Sequence, residues 1–331
     1  MLVLLAAPHA AGGEPKSDLV ELANGDRITC EIRALDRGKL TAATDGLGTI
    51  AIEWNDVAHV TSAALFDIEL VSGQRMFGSL ARGQSGSVVV VTPAGREPRP
   101  LAEIVRISPI GDTFLRRLEG AVDAGFSFTQ ANVQTQWTLH STMTYRGRRW
   151  LSQLDANSAL TTREDADEQI RNTVSLQTQR FLRPRWSAAG FAHFQQNEEL
   201  SLDLRSVLGL GIVKNVLQSN RTVLSVLGAA AFTRELYAGA SGASVAEAVA
   251  GLRWEWFTFD DRSTNLDVGA LSFYSLNTDT RTRLELTTSV RRDLIGDLYW
   301  SLNLFDSYNS DPPGGRKSND FGISAAVGWS Y

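Results

Sequence analysis

A two-residue alternation, sustained to the final residue, constrains this chain most. The ending FGISAAVGWSY (321–331) puts Phe321, Ile323, Ala325, Val327, Trp329 and Tyr331 on one side and Gly322, Ser324, Ala326, Gly328 and Ser330 on the other. Successive side chains of an extended backbone point to opposite faces, so this period is a strand. The pattern recurs upstream. Twelve such segments, each about 10–15 residues, can be drawn at 119–129, 132–146, 148–160, 168–180, 185–196, 200–214, 221–235, 245–259, 264–276, 281–294, 297–308 and 319–331, separated by turn residues. In 200–214, Leu200, Leu202, Leu204, Leu208, Leu210 and Ile212 share one face, with Ser201, Asp203, Arg205, Gly209 and Gly211 on the other.

Two architectures alternate in this way, a soluble sandwich and a membrane-crossing barrel. Sandwich strands average five or six residues, whereas a tilted membrane-crossing strand needs about 9 to 11. The twelve segments fit the second length. An even number of strands also returns both ends of a barrel to one side, and closure leaves no free edge in lipid. If the N-terminal part is periplasmic, the turns at 146–149, 180–185, 215–220, 259–264 and 294–298 fall on the periplasmic side, and all are short. The longer connections, 160–169 (LTTREDADEQ), 235–245 and 306–319 (DSYNSDPPGGRKSN), fall outside. Tyr145, Trp150, Phe181, Trp186, Trp256, Trp300 and Trp329 then gather near the periplasmic strand ends as an aromatic girdle.

Composition agrees with this reading once the alternation is known. Mean hydropathy is slightly negative, because apolar and polar faces cancel in a barrel. No window holds the roughly 18 apolar residues of a membrane helix. The formal net charge of -5 supplies no basic footprint for nucleic acid. The single cysteine, Cys30, excludes an intramolecular disulfide and reads as a small buried hydrophobe. The opening MLVLLAAPHAAGG (1–13) resembles the remnant of a signal peptide, an apolar run followed by small residues without a basic start. Export from a Gram-negative cytoplasm follows as an expectation.

The N-terminal third carries a repeat. VELANGDRITCEI (20–32) and IELVSGQRMFGSL (68–80) align at a constant offset of 48: Leu22, Gly25, Arg27 and Ile28 with Leu70, Gly73, Arg75 and Met76. Asn24-Gly25 and Ser72-Gly73 sit where tight hairpin turns belong. Two small SH3-like β-modules are expected, at 18–62 and 66–110, with the barrel over 119–331.

Chemistry is sparse. The charges expected to line a lumen are of both signs: Arg171, Arg205, Arg253, Arg283 and Arg291 against Asp203, Glu247, Glu255, Asp267 and Glu285. A strongly selective pore favours one sign. REDADE (163–168) reads as a solvated surface loop, since no glycine marks a calcium-loop turn. His140 cannot pair with Ser141, which points the other way; His193 has Ser187, Ser201 and Asp203 within a short stretch of chain. No metal spacing and no cofactor motif is present, so neither a catalytic residue nor a metal site is expected.

The combination GDRITCEI…GTIAIEW with a barrel ending DSYNSDPPGG…SNDFGISAAVGWSY resembles the salt-induced outer-membrane proteins of the YdiY type, the domain of unknown function 481. The matching position of the first hairpin, FTQANVQT (128–135), lacks the Gly-Asn step common in that family. The resemblance implies an outer-membrane location and no defined activity. Partners expected on this basis are outer-membrane lipid, the barrel assembly machinery, for which Trp329 and Tyr331 would supply a terminal signal, and a periplasmic protein or the cell wall for the modules. The expected protein is all-β: a C-terminal 12-stranded antiparallel transmembrane β-barrel preceded by the two modules. It is envelope-structural or a narrow, weakly selective, porin-like passive channel. The alternatives are a scaffold that uses the barrel as an anchor and, third, a lipid-modifying barrel enzyme.

Overall fold

The computed structural model describes residues 16–111, 118–129, 134–163, 166–198, 202–237, 243–258, 263–277, 281–295, 298–310 and 318–329. Side chains at 119, 129, 163, 166–168, 237 and 243 are outside that description. The 1–13 segment, Ser201, Tyr331, residues 311–317 of DSYNSDPPGGRKSN and the REDADE side chains therefore lie outside the described residues. The described chain is strands and short 3-10 turns.

The N-terminal unit contains β1 (Asp18–Leu22), β2 (Arg27–Asp36), β3 (Lys39–Thr44), β4 (Gly48–Glu53), a 3-10 turn (Trp54–Asp56) and β5 (Val57–Leu70). Then follow β6 (Arg75–Arg82), β7 (Ser87–Thr92), β8 (Gly95–Pro100), a second 3-10 turn (Leu101–Glu103) and β9 (Ile104–Pro109). The repeat is thus structural, with each copy closing on a 3-10 turn and a strand. Gly25 and Gly73 adopt φ of 95° and 81° at equivalent hairpins, where a side chain would strain the backbone. The modules are not separate at 62–66, however. β5 runs through that boundary as one strand and belongs to both copies, within a nine-stranded sheet ordered β4-β3-β2-β1-β5-β6-β7-β8, with β9 pairing β2 and β5. Alternation signals a strand but not its end, and nothing in VTSAALFD (60–67) breaks one.

The inner sides of these strands meet in a dry core. Val20, Cys30, Leu35, Leu40, Phe66, Ile68, Val88, Val90, Ile104 and Ile107 are fully buried. The Trp54 indole donates to the Leu101 carbonyl at 2.8 Å, tying the two 3-10 turns together. Asp18, the first residue of β1, is buried, and its carboxylate accepts from the Ile32 amide at 2.8 Å and from the Ser62 hydroxyl. Both lone-pair sets are thereby satisfied, as burial demands.

The C-terminal unit is one sheet. Its strands are β10 (Leu118–Thr129), β11 (Gln134–Arg146), β12 (Trp150–Arg163), β13 (Ala166–Arg183), β14 (Trp186–Asn197) and β15 (Leu202–Gln218). They continue as β16 (Thr222–Tyr237), β17 (Ala243–Thr258), β18 (Thr264–Ser275), β19 (Thr282–Asp293), β20 (Leu298–Asn309) and β21 (Asn319–Trp329). All twelve pair in chain order, antiparallel throughout. The turns 147–149, 184–185, 219–221, 259–263 and 294–297 share one end, called here the short-turn end. One connection departs from expectation. β12 and β13 extend through most of 160–169, leaving 164–165 between them. Charged residues do not stop a ladder that continues in water.

One face of this sheet, the inward face, is the more buried. Gly209, Ala231, Glu247, Val249, Ser275 and Phe257 are buried on it, while Leu208, Leu210, Phe232, Leu252 and Leu286 are exposed on the other. Gly209 lets the inward Phe191 ring lie across its strand, since a Cβ there would meet the ring at 2.0 Å. At this position an aromatic folds over glycine on the inward face. Among the described residues no ladder joins β10 to β21, and most residues of these two strands are exposed on both faces. The closing pair expected from the even strand count is thus not among the described ladders.

Candidate functional site

The polar side of each strand supplies the inward face, and cross-strand register fixes its neighbours. Arg171, Arg205, Glu247, Arg253, Glu255, Asp267, Arg283, Glu285 and Arg291 all take inward register. Asp203 does not. A bulge between Leu202 and Leu204 removes it from the ladder, so Asp203 is exposed and Leu202 is buried in its place. Inserting one residue shifts the side-chain alternation that periodicity alone extrapolates.

The inward charges form two groups. Away from the short turns, Arg205 meets Glu235 at 2.7 Å and donates to the Gln195 side-chain Oε1 at 3.1 Å. On the same side Arg283 donates to both carboxylate oxygens of Glu247 at 3.0 Å. The Glu247 side chain is only 6% exposed, and the guanidinium lies over the Phe273 ring at 4.4 Å. Near the short turns, Arg253 bridges Glu255 at 2.8 Å and Asp267 at 3.3 Å. Arg291 reaches Asp293 at 3.8 Å and stacks on Tyr299 at 3.6 Å. Between the groups, strands β14–β17 present Phe191, Val207, Val213, Leu227, Ala229 and Val249 inward. The opposing signs therefore neutralise each other locally, and the wall between them is apolar.

Two histidines take inward register. His140 shares a short hydrogen bond with the Asn157 side chain, and Ser141 faces outward as expected. His193 pairs with Ser175 at 2.8 Å, a partner on β13 that sequence proximity does not suggest. Glu235 and Ser175 are both reached only through the register, because each lies about 20–30 residues from its partner. Among the described residues no carboxylate is hydrogen-bonded to the His193 imidazole. None hold a cluster of three or more His, Cys, Asp or Glu fit for a metal ion.

On the outward register, Tyr145, Trp150, Trp186, Trp256, Trp300 and Trp329 stand at the short-turn ends of their strands. Phe181 is the exception. It pairs with Ser187 on the inward side, leaving Arg180 and Leu182 to face out. Trp254 joins the outward set, its indole donating to the Thr222 hydroxyl at 3.0 Å. Beside the double module's hairpin, Glu21 forms a further ionic group. The Arg82 guanidinium donating to Glu21 holds its carboxyl below the ordinary carboxylate range, against the raising effect of desolvation.

Residues 122–331 match the model of a family described as Protein of unknown function, DUF481. No curated protein and no solved structure matches the chain.

Proposed function

The chain belongs to the DUF481 family, and from that premise and the geometry above we propose that it is an outer-membrane barrel serving as a narrow, weakly selective passive pore in the cell envelope. The double module would stand in the periplasm. One observation carries the reading. The sheet of the C-terminal unit exposes its large apolar side chains, Leu210 at 75% and Val327 at 71%, and keeps its ion pairs on the inward, more buried face. A sheet in water arranges these the other way round. Strands of 11 to 18 residues exceed the length a tilted crossing needs. The paired inward charges support weak rather than strong selectivity, because Arg283 with Glu247 and Arg253 with Asp267 leave no field of one sign.

Residence in lipid also requires that the edges of β10 and β21 be paired, since each unsatisfied backbone group costs several kcal/mol there. Closure of one edge on the other meets that need within a single chain. The test is the gel mobility of the membrane-extracted protein with and without heating, followed by conductance in planar bilayers. A heat-dependent shift and small, nearly non-selective current steps are expected. A soluble protein without a shift would end the barrel reading, and a shifted protein without current would end the pore reading alone. A cysteine at Ala124, combined in turn with one at Ile323 or Ala325 in a Cys30→Ser background, should cross-link across the closed seam.

A further inference from the structure

The outward register near the short turns carries cations laid against tryptophan. The Arg180 guanidinium lies 5.5 Å from the Trp150 ring. Trp186 is flanked by Arg183 and the Lys214 ammonium, each at 5.0 Å. Arg292 stands opposite Trp300 across the β19–β20 ladder. All four cations are exposed. The acids of this end, Glu255, Asp267 and Asp293, take inward register. Among the described residues, the salt bridges of the sheet involve none of these four cations.

We propose that this belt of outward cations, three of them laid against tryptophan rings, binds the phosphodiester headgroups of anionic glycerophospholipids in the leaflet bordering the short turns. The inference rests on the membrane-spanning reading above and names what that surface recognises. A tryptophan at the border of an apolar band sits at headgroup depth. A guanidinium stacked on it keeps its N–H edge directed at the phosphates of that layer, with its carbon stem along the apolar surface. Arginine matches two phosphate oxygens at once, whereas lysine acts as a point charge. Separating the acids onto the inward face leaves the outward cations unneutralised, which is the complement of an anionic lipid surface. The stacking also fixes each side chain before lipid arrives, so less rotamer freedom is lost on binding.

The full chain in neutral detergent micelles allows a direct test by native mass spectrometry, with phosphatidylglycerol, phosphatidylcholine and inorganic phosphate as separate probes. Wild type should retain phosphatidylglycerol in preference to phosphatidylcholine and release it as salt rises. Substituting Arg180, Arg183, Lys214 and Arg292 together by Gln should abolish the preference, each substitution weakening binding about fivefold. The heat-dependent mobility shift of that variant should persist. Should the fourfold variant not fold, Lys214→Gln alone must still weaken retention. Equal retention of both lipids by wild type, retention of phosphatidylglycerol by a shifted fourfold variant, or full displacement by millimolar inorganic phosphate would each overturn the proposal. Loss of the mobility shift in wild type would instead remove the membrane reading beneath it.

Discussion

The two sheets of this protein obey the same alternation and place it oppositely with respect to solvent. In the double module, Phe66, Ile68, Leu80 and Ile107 are at most 1% exposed. In the long sheet, Leu208, Phe232, Leu286 and Val327 are 45% exposed or more. Charges invert with them. Arg33 and Glu31 of the module pair at the surface, while Glu247 and Arg283 pair on the inward face of the long sheet. Alternation sets which residues share a face. Whether that face is a core or a coat depends on how much apolar area the remaining elements can cover. The module folds two copies of a five-strand pattern onto each other through β5. Among the described residues the long sheet has no second layer of its own, so its apolar face stays exposed, and on the proposed reading lipid covers it.

Substitutions at matched sites should break this comparison most sharply. Phe66→Ala should cost the module about 3–5 kcal/mol, as expected for an aromatic lost from a dry core. Phe232→Ala, outward on β16 and 47% exposed, should leave the heat-shift temperature nearly unchanged. The converse comparison uses arginine. Val327→Arg should reduce insertion strongly, since a cation on the lipid face costs about 2–4 kcal/mol near the bilayer midplane. Ser324→Arg, on the opposite face of the same strand, should assemble normally; equal assembly of both would contradict the assignment of faces. Removing Tyr331 should also slow assembly if the terminal aromatic is read as a signal.

The ion pairs give the next largest effects. Glu247→Gln leaves the Arg283 guanidinium, itself 30% exposed, short of its carboxylate. Discounting for that exposure, a loss of about 1–3 kcal/mol is expected. A double-mutant cycle with Arg283→Gln should show that the two effects do not add.

Titration of the module sharpens the contrast further. Glu21 has its pKa lowered from 4.5, first by the Arg82 hydrogen bond and then, against desolvation, by Arg27 and Arg82 charges. The folded state thus favours the carboxylate. Its contribution is present above 4.5 and is lost as pH falls through the lower folded value. Glu21→Gln should flatten the acid limb of the module's unfolding curve. Burial pushes the Cys30 thiol up to about 11 from 9.0, so its contribution is present below 9.0 and lost as pH climbs towards the folded value. At pH 8 alkylation of Cys30 should be slow in the native chain and fast in denaturant, which makes this thiol a reporter of module unfolding. The smallest effect should come from Arg33→Gln. Its pair with Glu31 has side chains 57% and 48% exposed and should be worth under about 1 kcal/mol.

How much was legible follows from what kind of signal each feature leaves. The twelve strands were readable because long alternation repeats in each one, and most inward charges followed by parity. Asp203 departs from parity because a bulge leaves no trace in hydropathy, whereas Phe181 obeys parity with Gln177 and Gln179 on the inward face, and only its nearness to a turn groups it with the girdle. The continuity of β5 through 62–66 was missed for a related reason, as the interruption expected there had no turn residue behind it. The partners Glu235 for Arg205 and Ser175 for His193 were invisible because antiparallel register joins positions that no local window contains.

By itself the sequence determined the period, the strand count, the repeat at an offset of 48 and the two chemically distinct faces, since each is a local property of backbone geometry and side-chain type. Only the tertiary structure decided which residues meet: the matched pairs of the inward face, the cations stacked on the outward tryptophans and the strand shared by both modules. These depend on register and on bulges, and register is set by the sum of many cross-strand contacts rather than by any short stretch of chain.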